Sequence, residues 1–331
     1  MDINPLNQVT NIKYIQTQKD WGWQVAIYLY LAGMGAGSFV IGILMDWLGY
    51  SAYFPRAIFL WGPIMVAIGA PFLILKLGIK TRFWRACLNP RTSWLARGFL
   101  ILMVFICIGI IVFGASLFTF DWLDSFLEII LALEVISFVF AFAVAIYTGI
   151  LIQSVKYVPF WNTWFLPTLF TVSALSTGSM SIILSVLGYD FITSSQQLNH
   201  EVIEIVMHIE QVLILIEAII LTLYLYLRYQ ARDQGMNSVR LLLVGKLKPV
   251  FWGGIITSGF ILPVILEFVY SSIPDYPVIM VLAGLFLLTG GYFIRAGTIY
   301  AGVKELHPLQ NMFELDYIQD ILEKKKETQL I

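Results

Sequence analysis

Long apolar stretches alternate with polar connections along almost the whole of this 331-residue chain. The pattern predicts eight helices, over roughly 23–48, 54–78, 95–120, 127–153, 161–188, 202–227, 249–272 and 277–300. A hydrocarbon layer about 30 Å thick takes about 20 apolar residues in a helix, and the runs reach that length repeatedly. The sequence therefore reads as an all-α membrane protein with eight transmembrane helices arranged as two four-helix bundles. Its expected divisions are a polar N-terminal tail (1–22), a first bundle (23–155), a second bundle (156–302) and a C-terminal tail (303–331). A faint echo between Gly37-Ser38-Phe39 of the first predicted helix and Gly178-Ser179-Met180 of the fifth hints at two related halves.

Composition agrees. The chain is 59% hydrophobic and 12% charged, more apolar surface than a water-soluble domain of this size hides. Its net charge of −1 favours no partner such as nucleic acid, but the charges are unevenly placed. Of the 20 lysines and arginines, all but Arg56 and Arg295 fall on the face that holds both termini. Asp121, Asp124, Asp190, Glu201 and Asp275 mark the opposite face. The positive-inside rule then puts both termini in the cytoplasm, with the protein in the cell membrane. Basic loops have a rival reading as the docking surface for a partner. Trp21, Trp23, Trp47, Trp84, Trp94, Trp122, Trp161, Trp164 and Trp252 lie near predicted helix ends, where aromatic rings anchor spans at the interface. Met1 to Asp20 has neither a short apolar core nor a small-residue cleavage site, so no removable signal peptide is expected.

Ionisable groups inside spans are costly, which makes Glu134, Glu210, Glu217, Glu267 and Arg295 functional candidates. Glu210 and Glu217 are seven residues apart, hence on one helix face and about 10 Å apart along the axis. Two readings stay open. One is an internal ion pair of Arg295 with Glu217 or Glu134 that fixes helix register; the other is a relay carrying protons to a redox site in the bilayer. Gly33, Gly35 and Gly37 allow close helix packing, or leave room for a flat ring beside Gln24, Tyr28 and Tyr30. Ser173, Thr177, Ser181 and Ser185 make a small polar stripe suited to packing. A membrane haem of the b type wants two axial histidines, and of the three here only His208 falls well inside a span. Cys87 and Cys107 are too few for an iron–sulfur cluster. No haem and no cluster are expected in this chain.

Four blocks of wording are more specific. They are Tyr28 to Phe39; Leu75 to Gly78 with Arg82-Phe83-Trp84, Asn89-Pro90 and Ser93-Trp94; Tyr147-Thr148-Gly149-Ile150-Leu151 followed by Pro159, Trp161, Leu166-Pro167 and Ser173-Ala174-Leu175; and Thr289-Gly290-Gly291 with Arg295-Ala296-Gly297. Together they resemble the membrane subunits of the polysulfide reductase (NrfD/PsrC-like) family, from about residue 21 to 300. Lys76-Leu77-Gly78 departs from a common Asp-Leu-Gly, and Tyr30 and Met34 from more usual Phe and Leu or Gly. The resemblance implies a subunit that binds a menaquinone-like quinone among its first four helices. Its expected partners are a ferredoxin-like multi-cluster iron–sulfur subunit and a molybdopterin catalytic subunit. Carried onto this sequence, Tyr147 donates a hydrogen bond to the quinone, with Gln24, Tyr28, Gly33 and Gly37 around it. In this picture Arg82, Arg85 and Arg97 either meet an acidic partner or stabilise the anionic quinone, and Glu134, Glu210, Glu217 and Arg295 are the proton-transfer candidates, with Glu134 only a step in a longer path. Family relatives carry the iron–sulfur partner outside the membrane, on the face that is basic here.

Two other classes fit parts of the sequence. A proton-coupled secondary transporter would use Glu210, Glu217 and Arg295 equally well, but has no reason to share the wording of the first and fourth helices. A structural anchor for soluble redox subunits would need no quinone chemistry of its own.

Overall fold

The computed structural model describes residues 17–50, 56–75, 91, 93–117, 127–193, 200–231 and 233–305. Among them the regular structure is helical. Helix α1 spans Trp23–Trp47, α2 Ala57–Leu60, α3 Gly62–Leu75, α4 Trp94–Leu117 and α5 Leu127–Gln153. Then come α6 (Phe165–Thr193), α7 (His200–Gln230) and α8 (Gln234–Leu243). A π-helical stretch, Val250–Ile261, runs straight into α9 (Leu262–Ser272), and α10 covers Pro277–Tyr300.

Seven of these helices are long and apolar enough to cross a membrane: α1, α4, α5, α6, α7, the π stretch joined to α9, and α10. The protein is a multi-pass membrane protein. The second predicted span, 54–78, is not among the seven. It breaks at Trp61 into α2 and the 14-residue α3, and α3 rises only about 21 Å. Residues 51–55 and 76–78 lie outside the described residues. The fifth predicted span starts four residues later than expected, because 154–164 is an irregular connection. Helix α8 was not foreseen. Asp233 caps it by accepting from the Gly235 amide at 2.7 Å, and it buries Val239, Leu241 and Leu242 beneath a stretch that reads as a basic loop.

Two helices form the interior. The apolar windows of α1 and α6 are 78% and 72% buried, against 22% to 39% for the other five spans. The outer helices turn Ile111, Leu131, Val139, Leu215 and Phe268 outward, as lipid-facing surfaces require. What brings α1 and α6 together is the absence of side chains. A Cβ on Gly37 would strike the Ala174 carbonyl, and one on Gly178 would strike the backbone of Gly37 and Ser38. The two echoing segments of the sequence are thus the two sides of one crossing. Close backbone approach of this kind gains van der Waals contact, the main attraction between helices in lipid. Gly35 makes a similar contact with Gly62 of α3, and Gly259 of the π stretch with Gly290 of α10. Helix α1 stops at Gly49, whose φ of +91° suits a residue without a Cβ.

The π stretch has a local cause. Pro249 precedes it, Gly253, Gly254 and Gly259 lower its rigidity, and the Thr257 hydroxyl returns to the Trp252 carbonyl five residues back at 2.8 Å.

The connection after α5 is tied down from three sides. Trp161 is fully buried and donates to the Thr298 carbonyl at 2.8 Å, so it is a core residue and not an interfacial anchor. Tyr224 of α7 donates to the Phe160 carbonyl at 2.8 Å, and Arg228 to the Pro159 carbonyl at 2.5 Å. The segment before α1 also crosses here: Gln18 donates to the Ile299 carbonyl at 2.9 Å, and Thr17 pairs with Val303. Lys304 meets Asp20 at 2.7 Å, and this hydrogen-bonded carboxylate holds the ammonium above its ordinary pKa. Residues 17 and 303 therefore lie on one face. Trp23, Trp47, Trp94, Trp164 and Trp252 are exposed near helix ends, as the aromatic-belt reading expects; Trp84 and Trp122 lie outside the described residues.

Replacing Gly178 with valine forces α6 off α1 and should cost about 3 kcal/mol or more. Gly188→Ala, where a Cβ meets nothing within 4 Å, should change stability by less than about 0.5 kcal/mol. Thermal unfolding of the two purified variants checks the contrast.

Candidate functional site

Helix α1 begins, α5 ends and α4 begins on the face where residues 17 and 303 meet. Tyr28 lies about 8 Å in from the start of α1, and Tyr147 about 9 Å in from the end of α5. Both rings are buried, and Tyr28 lies within electrostatic reach of Tyr147. Gly98 of α4 makes the space: a Cβ there would fall on the Tyr147 ring. Sequence reasoning passed over Gly98, and only the tertiary contact distinguishes it from other glycines. Among the described residues, neither phenol hydroxyl has a hydrogen-bond partner. A buried hydroxyl left unpaired costs about 1–3 kcal/mol. Gln24, half-buried, stands one turn before Tyr28 on the same face of α1.

Gly33 and Gly37 do not join this pair. A Cβ on Gly33 would lie 3.0 Å from Nη2 of Arg295, and Gly37 is filled by α6 backbone. The open question about these glycines resolves toward packing.

A second polar cluster runs through α6, α7, α9 and α10. Arg295, fully buried, donates through Nη1 to Ser173 Oγ and to the Gly291 carbonyl, both at 2.7 Å. Tyr30 and Phe170 flank its guanidinium, with ring centroids 5.8 and 5.6 Å away. Glu217 of α7 also interacts with Ser173 and with the charge of Arg295. The internal partner of Arg295 is therefore Glu217, through Ser173. Nearly one turn along α6, Ser176 donates to Glu210 at 3.3 Å. Glu210 in turn interacts with Glu267 of α9, which also lies against Gln211. The antiparallel run of α6 and α7 explains the pairing: the earlier serine meets the later glutamate. Glu267, Glu210, Glu217 and Arg295 thus form a buried row from the acidic half of the protein into the basic half. Its connectors are Ser173, which the sequence offers as a packing residue, and Ser176, which the sequence does not single out.

Glu134 belongs elsewhere. It is paired with Arg56, which also binds Asp46 at 2.5 Å. This clasp ties the end of α1 to α2 and α5 on the acidic face. Glu134 is thirteen residues from Tyr147, about 20 Å along α5, and its carboxylate is engaged by a cation that the proton-relay reading did not include. The two basic residues that break the charge sorting are thereby explained, since Arg56 and Arg295 each have buried acidic neighbours. Of the docking candidates, Arg97 stacks 4.5 Å from the Trp94 ring and donates to the Arg91 carbonyl at 2.8 Å. Arg82 and Arg85 lie outside the described residues.

Similarity to known proteins extends over all three clusters. The family model described as polysulphide reductase, NrfD, matches residues 15–306. The C subunit of polysulfide reductase from Wolinella succinogenes is 27% identical over 304 residues, which is 85% of this sequence and 94% of that protein. Protein NrfD of Escherichia coli and the Protein NrfD homolog of Haemophilus influenzae are 24% and 26% identical over 310 residues, with the same coverage of 85% and 94%.

Removing Arg56 leaves Asp46 and Glu134 without a cation. Arg56→Ala should cost about 2–4 kcal/mol, below the figure for a fully buried pair because the arginine is partly exposed. Adding Glu134→Gln to that variant should restore part of the loss, and thermal unfolding of the single and double variants measures it.

Proposed function

This protein belongs to the polysulphide reductase NrfD family, and we propose that it is the membrane subunit through which a respiratory oxidoreductase exchanges electrons with a quinone pool. The observation that carries this reading is the pair of buried, unpartnered hydroxyls of Tyr28 and Tyr147. A quinone has carbonyl oxygens that accept hydrogen bonds and a flat apolar ring, and it supplies a reaction of two electrons and two protons. Tyrosines whose backbone lies about 8–9 Å in from the helix ends at the basic face would orient such a ring through their hydroxyls, while Gln24 adds a second polar group one turn away. The aromatic and glycine surroundings exclude water and leave space for Tyr147 over Gly98.

With too few histidines and cysteines to hold a haem or cluster of its own, the subunit would hand electrons to a neighbour, so we assign the basic face, with Arg97 and Lys304, to an iron–sulfur partner. A multi-cluster ferredoxin-like subunit and a molybdopterin catalytic subunit complete the proposed complex. One relative is named as a lettered part of polysulfide reductase, which supports an assembly of this kind. We place the complex in the cell membrane. The bias of basic residues favours cytoplasmic termini, and an export-dependent reporter fused after Ile331 should be inactive if that orientation holds. Activity of the reporter there would assign the basic bias to docking instead.

In this reading the row Glu267–Glu210–Glu217–Arg295 is a proton path of the second half of the molecule. Its serines and carboxylates can each accept and donate, as hand-to-hand proton transfer requires, and Arg295 stands at its inner end, joined to Glu217 through Ser173.

Tyr147→Phe and Tyr28→Phe keep shape and remove only a donor. Each should lower quinone-linked turnover by a factor equivalent to about 1–3 kcal/mol, while partner activity with artificial electron dyes persists. Unchanged quinone kinetics in both variants would remove the site from this place. Glu210→Gln should slow proton exchange with the quinone reaction more than it slows dye-linked activity.

A further inference from the structure

The buried row has an outer end that the quinone reading does not use. On the acidic face a cleft of about 180 Å³ opens between α7 and α9, lined by Glu204, Met207, His208, Tyr270, Ser271 and Pro274. Glu204 and His208 stand one turn apart on α7, with Oε1 and Nε2 3.9 Å from each other and both side chains about two-thirds exposed. Tyr270 sits at the base. Its residue surface is 4% exposed, and its hydroxyl has no hydrogen-bond partner among the described residues. One helical turn deeper on α9 is Glu267, fully buried, with neither carboxylate oxygen in a standard hydrogen bond. The titratable groups around this end are Glu204, His208 and Glu210 on α7 and Glu267 on α9.

We propose that this cleft is the aqueous mouth of the carboxylate row, and that Tyr270 passes protons between water in the cleft and Glu267. The cleft holds several waters, since each occupies about 30 Å³ in the liquid, and its rim offers polar partners. Glu204 and His208 would collect protons from bulk water on the acidic face. The Tyr270 hydroxyl and the Glu267 carboxylate are not hydrogen-bonded to each other in this structure; when side-chain rotation brings them together, the Tyr270 O–H bond breaks toward the carboxylate while a cleft water donates a replacement proton to the phenol oxygen. The tyrosine ends neutral, Glu267 has gained one proton, and the water has given one up to be replenished at the rim. Removing only the hydroxyl interrupts the transfer without touching the row. The direction reverses by the same steps when Glu267 releases its proton.

The inference rests on the reading of the row as a proton path, and the experiment separates the two. The complete complex is reconstituted in lipid vesicles carrying a trapped pH dye, and quinone-driven proton exchange is followed beside dye-linked electron transfer. Tyr270→Phe should slow proton exchange severalfold with dye-linked activity unchanged. In a background with Cys87 and Cys107 changed to serine, Met207→Cys should react with a membrane-impermeant thiol reagent added on the acidic face, and the bulky adduct should slow proton exchange to a similar degree. If Glu210→Gln slows proton exchange but Tyr270→Phe and the labelled Met207→Cys do not, the row stands and the mouth is overturned. If Met207→Cys fails to assemble, Tyr270→Phe decides alone. Unaltered proton exchange in Glu210→Gln overturns the row itself, and with it the mouth.

Discussion

The crossing of α1 and α6 at Gly37, Ala174 and Gly178 is the contact on which the other arrangements rest. It places the most buried helix of each half of the protein backbone against backbone, and the outer helices arrange themselves around that pair. Tyr28 is held on one side of α1, within electrostatic reach of Tyr147 of α5. Gly33 is held on another, against Arg295. Without the close approach, Arg295 would have no glycine surface to lie on, and Ser173 would stand away from it. One packing decision among small residues therefore separates the tyrosine pair from the carboxylate row and fixes both.

The two polar clusters answer the bilayer in different ways. The row shares its charges: Arg295 and Glu217 meet through Ser173, and Glu210 and Glu267 face each other with Ser176 and Gln211 beside them. The tyrosine pair keeps donors without acceptors among the described residues, as Arg295 does at Nε and Nη2. The Arg56 clasp, with one cation between two acids, reads as structure.

Much of this was legible in the sequence, and the limits have physical causes. Seven spans, the intramembrane charges and the tyrosine on the fourth predicted helix came directly from hydropathy and wording. The break at Trp61 did not, because Gly62-Pro63 inside an apolar run changes no hydropathy. Helix α8 was hidden for the opposite reason: its ten residues are too short and too polar for a span, and the basic residues that flank it make the stretch read as a loop. Gly33 and Gly37 carried two meanings until the neighbour of each was known. The pairing of Glu134 with Arg56, and not with Arg295, depends on which helix ends meet, and spacing within one helix cannot say that. Gly98 carries no signal at all until Tyr147 is seen lying on it.

The π stretch before α9 has a consequence of another sort. In an α-helix each residue turns the backbone by about 100°, so the direction of a side group follows from counting. From Val250 to Ile261 the ladder closes five residues back instead of four, and the count runs differently. Glu267 meets Glu210 because of how many residues lie between Pro249 and α9, not only because of which ones they are. Deleting a single residue there would keep every functional group while turning one end of the span against the other. In this part of the protein, length carries information that no scan of substitutions would read.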